Sequence, residues 1–197
     1  MGKMVKPDNN YIYDKKWAQT KKRDKPWAND FYNVIMELLA PKSVIDMGCG
    51  SGDLLAPFEK KGLDVLGIDA SIAIQDYLKI KRANFILLDL REAHYPLKKY
   101  DLAMAVEVGE HVEEEFADIL VDNICRSGKT VLWTADSELR GGFYHPNPQK
   151  PDYWTSKFRE RNYKLDSEMA SRLIERIKDI EGVKSNYYER LLFLREG

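Results

Sequence analysis

The stretch VIDMGCGSGDLL, residues 44–55, joins a short apolar run to three glycines that alternate with small residues. Glycine in such a turn costs conformational entropy, so the loop must adopt a backbone geometry, or approach a ligand, that a side chain would prevent. Apolar residues return at Leu54 and Leu55, where a helix is expected to begin. The stretch therefore predicts a buried strand, a glycine turn and a helix, in that order.

On either side of this stretch, strand-like apolar runs alternate with apolar residues at helical spacing. The predicted strands cover 43–47, 64–70, 84–90, 100–108, 129–136 and 186–194. The predicted helices end at Pro41 and near Gly62, follow Val112, cover 152–161, and extend from an Asp166 cap to Gly182. This alternation predicts an α/β fold with a single Rossmann-like doubly wound sheet. The sheet is expected to be mostly parallel with an antiparallel last strand, and to carry helices on both faces.

The composition is that of an ordinary globular domain, with 197 residues, 44% apolar and 32% charged residues, and a net charge of −1. This length predicts one domain, and the near-zero charge provides no overall attraction to nucleic acid. Cys49 and Cys125 lack metal-ligand spacing and are too few for a disulfide framework, which favours a reducing compartment. No apolar run is long enough to span a membrane, and a cytoplasmic protein is predicted.

Residues 1–27 differ from the rest, because eight Lys or Arg stand against three Asp and are interleaved with aromatic residues. Basic and aromatic residues together are typical of proteins that bind single-stranded nucleic acid. The neutral charge of the whole chain favours the alternative, an arm whose aromatic residues pack over a domain at 28–197. In that arrangement Tyr11, Tyr13 or Trp17 is expected to cover a bound cofactor as a lid.

Three acidic residues stand close to the glycine loop or at the ends of the next predicted strands, namely Asp46, Asp69 and Asp89. In an open α/β sheet, ligands bind at the carboxyl ends of the strands. A dinucleotide and a nucleoside such as S-adenosylmethionine both fit such a crevice. The dinucleotide fingerprint is G-x-G-x-x-G, whereas this loop has G-x-G-x-G after an acid that would repel a pyrophosphate. An ammonium group, ribose hydroxyls and an adenine amino group suit the three acids better, which favours S-adenosylmethionine.

These motifs resemble those of the class I S-adenosylmethionine-dependent methyltransferases. VIDMGCGSG is similar to their first motif, VLGIDAS to the second, ILLDL to the third and YDLAMAVEVGEHV to the fourth, within residues 28–197. The resemblance implies that the cofactor binds along the glycine loop and the strand ends. The implied cofactor-binding set is Asp46, Gly48, Cys49, Gly50, Asp69, Ala70, Asp89, Leu90 and Glu107. A non-catalytic S-adenosylmethionine-binding regulator is an alternative from another class, although none of the cofactor acids is missing.

The acceptor side is expected beyond the fourth and fifth strands, where Glu107, Glu110 and His111 precede a loop that carries His145. Three interpretations stay open. Glu110 and His111 begin a helix, or His111 or His145 acts as a general base, or all four residues bind a divalent metal. The E-x-x-E-H spacing with a downstream His resembles two groups that use a divalent cation. These are the small-RNA 3′-end 2′-O-methyltransferases and the quinone-biosynthesis O-methyltransferases.

Substrate recognition is expected to depend on residues 1–27 and on the Gly- and Pro-rich loop at 137–162. Because these two segments are too short to form a separate recognition domain, a small acceptor is favoured over a large one that needs many contacts. The predicted reaction is methyl transfer to an oxygen, in preference to a nitrogen, of a small molecule such as a sugar or another secondary metabolite. The alternative is an RNA 2′-O-methyltransferase that uses the basic arm and the metal site.

Overall fold

The computed structural model describes residues 14–20, 25–94, 96, 98–137 and 144–197. The strands are Ser43–Met47 (β1), Asp64–Asp69 (β2), Phe85–Leu87 (β3), Tyr100–Val106 (β4), Gly128–Thr134 (β5), Tyr163–Leu165 (β6) and Leu192–Glu196 (β7). The α-helices are Lys15–Thr20 (α1), Ala28–Leu38 (α2), Ala56–Lys60 (α3), Ala117–Ser127 (α4), Pro151–Glu160 (α5) and Ser167–Lys178 (α6).

The seven strands form one sheet in the order β3-β2-β1-β4-β5-β7-β6. Pairing is parallel from β3 through β5, and β7 runs antiparallel to both β5 and β6. The direction of strand order reverses between β1 and β4, where an open sheet leaves a crevice for a ligand. The predicted fold class, a mostly parallel doubly wound sheet with an antiparallel last strand, is confirmed.

Side chains of successive residues in each strand point to opposite faces of the sheet, and both faces are buried. In β1, Val44 packs on one face with residues of α2, α3 and α6, such as Phe31 and Leu173. Ile45 packs on the other face with residues of α4 and α5, such as Ile124. Helices therefore cover both faces, which explains why the strands read as nearly continuous apolar runs.

Two of the predicted helix boundaries have a clear local cause. The carboxylate of Asp166 accepts a hydrogen bond from the backbone amide of Met169 at 2.9 Å, so Asp166 caps α6 as predicted. A side-chain cap of this kind contributes about 1 kcal/mol. Helix α2 ends three residues before Pro41, which cannot continue a helix.

The last predicted strand, 186–194, is wrong in its first half. Residues Ser185–Tyr187 form a 3-10 turn, and β7 occupies Leu192–Glu196 instead. Tyr187 is used in a tertiary contact, since its ring packs against Trp27 at 4.9 Å between centroids. The short strand β6 carried no sequence signal, because its second and third residues, Lys164 and Leu165, are exposed. Between β2 and β3 the described chain has 3-10 turns at Ile72–Tyr77 and Arg82–Asn84.

The described part of the N-terminal arm packs on the domain. Ala18 in α1 is fully buried, and Trp27 is 7% exposed and lies edge-on to Phe31. Tyr11, Tyr13 and the side chain of Trp17 lie outside the described residues. The lid that was predicted from these three residues stays a prediction. Within the described chain, no helix combines the length and apolar character that a membrane crossing requires.

Candidate active site

The glycine loop after β1 has a backbone that other residues rarely adopt. Gly48, Gly50 and Gly52 have φ angles of 85°, 55° and 80°. A Cβ atom at Gly48 would also lie 2.5 Å from Cγ2 of Val108, inside van der Waals contact. The amide of Gly48 donates to the carbonyl of Ile68 at 2.8 Å, which holds the turn against β2. Both the left-handed geometry and the close approach to Val108 therefore require glycine.

A cavity of about 580 Å³ lies beside this loop, at the carboxyl ends of β1, β2, β4 and β5. All the sequence-predicted cofactor residues line it, namely Asp46, Gly48, Cys49, Gly50, Asp69, Ala70, Asp89, Leu90 and Glu107. The predicted acceptor-side residues Glu110, His111 and His145 line the same cavity. The structure thus brings every predicted site residue to one place, as expected for a parallel sheet whose strands end at a common edge.

Asp69 organises the glycine loop as well as facing the cavity. Its Oδ2 accepts a hydrogen bond from the amide of Gly50 at 2.8 Å, and its Oδ1 accepts from the amide of Ser71 at 2.9 Å. Hydrogen bonds to a charged group are stronger than neutral ones. Asp69 therefore fixes the loop and keeps a carboxylate at the end of β2.

Burial raises the pKa of two groups deeper in the loop. Asp46 is 3% exposed, and desolvation raises its pKa to about 7, opposed by the nearby Lys25 ammonium. Desolvation and the carboxylates of Asp69 and Asp46 raise the pKa of the Cys49 thiol well above its usual value. A thiol with a raised pKa is a poor nucleophile. Cys49 thus has the properties of a packing residue.

Asp89, predicted to face an adenine amino group, is paired with Arg91. Its Oδ2 lies 2.7 Å from Nη2 of Arg91, and its Oδ1 accepts from Nε of Arg91 at 3.0 Å. Arg91 is 5% exposed and also lies 3.4 Å from Glu113. The Asp89 carboxylate lines the cavity as one half of this buried ion pair.

At the other end of the cavity, Glu110, His111 and His145 form a three-residue cluster. One ligand atom from each can be chosen so that all lie within 4.8 Å of one another. The two imidazole rings meet edge to face with centroids 4.8 Å apart, and Nε2 of His111 lies 4.0 Å from Oε1 of Glu110. Nδ1 of His145 lies 3.6 Å from Oδ2 of Asp136, which also pairs with Arg190. One carboxylate and two imidazoles thus face a common point.

The carboxyl group of Glu110 is 1% exposed. Neither of its oxygens accepts a hydrogen bond of normal geometry from the described residues, although its own amide and that of Asp136 lie close enough to lower the pKa slightly. Desolvation by burial, followed by the charge of Glu107, raises the pKa of Glu110 to about 8. Such an acid is unusual, because buried carboxyl groups are normally hydrogen-bonded or paired.

Glu107 lies at a strained position and is not part of this cluster. Its φ of 59° is in the left-handed region, where a non-glycine residue is seldom found outside functional sites. Its Oε1 accepts from the hydroxyl of Thr134 at 2.9 Å, and its Oε2 accepts from the amide of Asn186 at 2.6 Å. Burial raises the pKa of Glu107. Both oxygens therefore have partners, and metal binding by Glu107 stays a prediction.

Several cavity residues were missed by the sequence reasoning: Lys25, Arg91, Asp136, Lys184, Asn186 and Tyr187. Asp136 lies two residues after the end of β5, so the strand-end rule that found Asp69 would also have found it. Lys184, Asn186 and Tyr187 stand near or inside a segment that was predicted as a strand. Lys25 comes from the arm, and no local pattern marks its approach to the cavity.

Comparisons with known proteins agree with this geometry. A family model described as a methyltransferase domain matches residues 20–168, which is more than half of the chain. The chain belongs to the class I S-adenosylmethionine-dependent methyltransferases. Membership of this family implies S-adenosylmethionine as the cofactor.

Among curated relatives, a ubiquinone biosynthesis O-methyltransferase of Rhodopseudomonas palustris strain BisA53 is 38% identical over 81 residues. The match covers 39% of this chain, and the chain spans about a third, 32%, of that relative's length. Among solved structures, a TehB-like methyltransferase of Corynebacterium glutamicum has a TM-score of 0.61 at 16% identity, with 98% and 100% of the two chains covered. Magnesium protoporphyrin IX methyltransferase of Synechocystis PCC 6803, with bound S-adenosylmethionine, has a TM-score of 0.57 at 17% identity, with 100% of this chain and 86% of that one covered. These two structures share the fold.

Proposed function

We propose that this enzyme transfers a methyl group from S-adenosylmethionine to an oxygen atom of a small-molecule acceptor. We propose further that Glu110, His111 and His145 hold a divalent cation beside that oxygen. Support for oxygen as the target comes from the partial relative, which is named an O-methyltransferase. Support for a small acceptor comes from the cavity, whose volume of about 580 Å³ is that of an ordinary small-molecule site.

The observation that carries the metal proposal is the buried carboxyl group of Glu110. A general base needs an imidazole near the acceptor proton, but it does not need a carboxylate buried without a hydrogen-bond partner of normal geometry. Burying an uncompensated carboxylate costs several kcal/mol, about 3–5 in measured cases. A cation held by Glu110 and the two imidazoles would offset that cost.

The three donors fit a divalent metal of intermediate softness. Imidazole nitrogens suit zinc and neighbouring transition metals, whereas Mg²⁺ prefers oxygen ligands and retained water. A cation held by these residues would supply a positive charge that favours ionisation of an acceptor hydroxyl. Glu107 is the predicted fourth ligand. Because both of its oxygens already accept hydrogen bonds, from Thr134 and Asn186, it would be a weaker ligand than Glu110.

The other cavity residues have roles in alignment. S-adenosylmethionine supplies the methyl group on a sulfonium. Asp69 faces the cavity from the end of β2, where its carboxylate can accept both ribose hydroxyls. By resemblance to the family, Asp46, Gly48 and Gly50 would hold the methionine part of the cofactor. His145, whose Nδ1 lies 3.6 Å from Asp136, would face the acceptor, so that the acceptor oxygen would lie between the cluster and the methyl group.

The charge of the cavity favours a small acceptor over RNA. Seven acidic residues line it (Asp46, Asp53, Asp69, Asp89, Glu107, Glu110 and Asp136), against Lys25, Arg91 and Lys184. Even where Asp46 and Glu110 are protonated, the five other acids outnumber the three cations, so the cavity does not attract a phosphate backbone. An RNA 2′-O-methyltransferase is therefore the second candidate, supported by the composition of residues 1–27 and by the E-x-x-E-H spacing at 107–111.

The test is a methylation assay with radiolabelled S-adenosylmethionine and an acceptor panel of phenols, catechols, sugars and a short single-stranded RNA. His145→Ala is expected to lower kcat at least tenfold while leaving cofactor affinity nearly unchanged, the pattern of a lost transition-state interaction. His94→Ala, which lies outside the cavity, is the matched control. Activity that survives His111→Ala, His145→Ala and prolonged chelation would contradict the metal and the base alike. Methylation of the RNA alone, with salt-sensitive binding, would support the second candidate.

A further inference from the structure

The ring orientation of His111 is set by a backbone carbonyl. Nδ1 of His111 lies 2.7 Å from the carbonyl oxygen of Tyr144, in the loop after β5. A carbonyl oxygen can only accept a hydrogen bond, so Nδ1 must carry the proton. In the neutral ring, Nε2 then has the lone pair, and Nε2 is the nitrogen that lies 4.0 Å from Glu110. Tyr144 therefore selects which nitrogen of His111 faces the cluster.

The Tyr144 side chain is anchored on the cofactor side of the cavity. Its hydroxyl donates to Oε1 of Glu113 at 2.7 Å. Glu113 lies 3.4 Å from Arg91, which in turn holds Asp89 at 2.7 Å. A phenol keeps its hydroxyl hydrogen at neutral pH, so Tyr144 is the donor of this bond and Glu113 the acceptor.

The Tyr144 backbone needs this anchor. Its φ of 52° lies in the left-handed region, which costs a residue other than glycine about 1–2 kcal/mol. Such a conformation persists only where the surroundings hold it in place. Tyr144 also directly precedes His145, so the same backbone position affects two members of the cluster.

We propose that Tyr144 is a positioning residue for His111, tied through its hydroxyl to Glu113 and Arg91 beside Asp89. Its carbonyl oxygen determines that the ring hydrogen of His111 is on Nδ1. Its hydroxyl donates to Glu113 and thereby holds the carbonyl in place. This inference rests on the proposed role of His111 on the acceptor side. It connects the two halves of the cavity. The tautomer of His111 depends on a chain of contacts that begins at Asp89 on the cofactor side.

Tyr144→Phe isolates the anchor. Phenylalanine keeps the carbonyl that accepts from His111 but removes the hydroxyl that Glu113 accepts from. The pair of Arg91 and Asp89 is left intact, so affinity for S-adenosylhomocysteine is expected to stay within about twofold. Tyr77→Phe is the matched control, since Tyr77 is half-buried and lies outside the cavity.

Two measurements test the proposal. The ¹⁵N chemical shifts of the His111 ring, recorded about two pH units above the ordinary pKa of histidine, report the tautomer without metal or acceptor. The wild type is expected to carry the proton on Nδ1, and Tyr144→Phe to move toward the Nε2–H form. Affinity for Mn²⁺ alone, measured by calorimetry, is expected to fall about tenfold in Tyr144→Phe, as for other groups that orient a metal ligand.

Glu113→Ala provides an independent arm should Tyr144→Phe fail to fold. It is expected to reproduce the tautomer change, and the double variant is expected to be no worse than either single one, because both act through one chain of contacts. A wild-type ring protonated on Nε2, or variants indistinguishable from Tyr77→Phe in the ring shifts, would overturn the proposal. Wild-type protein that binds neither Mn²⁺ nor Zn²⁺ would instead refute the metal in the proposed function, and the ring shifts would still decide this inference.

Discussion

Replacing Glu110 by glutamine is expected to stabilise the metal-free protein at alkaline pH. Burial raises the pKa of Glu110 from 4.5 to about 8 in the folded protein. Between these two values the folded protein keeps a proton that the unfolded chain releases. The free energy of unfolding therefore falls as pH rises through this interval, and levels off above the folded pKa.

The size of the effect follows from the same interval. Each pH unit is worth about 1.4 kcal/mol, so an interval of this width reduces the unfolding free energy by several kcal/mol, to which the charge of Glu107 contributes. Glutamine has the same shape and does not ionise. Near the ordinary pKa of a glutamate the two proteins are expected to be equally stable, whereas about one unit above the folded pKa Glu110→Gln is more stable by that amount. Asp46, whose pKa is raised to about 7, contributes the same slope to both proteins and cancels in the difference.

Urea unfolding of chelator-treated protein, at several pH values across the interval, measures this difference. Glu115→Gln, an exposed glutamate close in sequence, is the control and is expected to follow the wild type. Addition of Mn²⁺ is expected to stabilise the wild type and not Glu110→Gln, because only the wild type offers the carboxylate ligand. Parallel curves for wild type and Glu110→Gln at every pH would refute the reasoning that Glu110 is a buried, neutral acid.

Three further changes test the cofactor side. Asp69→Ala is expected to weaken S-adenosylmethionine binding by about 2 kcal/mol or more. It is also expected to loosen the glycine loop, because it removes the acceptor for the Gly50 amide. Tight binding of NAD by the wild type in calorimetry, without binding of S-adenosylmethionine, would contradict the assigned cofactor. Gly48→Ala is expected to destabilise the fold more than Gly50→Ala, because a Cβ atom at Gly50 would contact no neighbouring atom. In thermal unfolding, adding Val108→Ala to Gly48→Ala should recover part of the lost stability. Equal losses at both glycines would contradict the contact with Val108. Lys25→Ala is expected to weaken the binding of S-adenosylmethionine several-fold. The binding of 5′-methylthioadenosine, which lacks the carboxylate, is expected to stay the same. Equal weakening of both ligands would assign Lys25 a structural role.

The sequence by itself determined the order of the elements and the position of the ligand crevice. The glycine turn at 48–52, the acids at the ends of β1 and β2, and the Asp166 cap are local features, each readable from a few neighbouring residues. Parallel strands end at one edge, so residues that follow successive strands meet there without any knowledge of packing. For that reason the predicted set, from Asp46 to His145, lies in one cavity.

Only the tertiary structure decided which of these groups touch. Arg91 pairs with Asp89, and the carbonyl of Tyr144 meets His111 from 33 residues away. Tyr187 lies on the cavity wall because a 3-10 turn replaces the strand that its neighbours predict. The lack of a normal hydrogen-bond partner for Glu110 is likewise a property of the packed surroundings and not of its sequence neighbours. Periodicity reports which face of an element is buried, whereas contacts between distant side chains depend on loop paths and rotamers that local propensity does not contain.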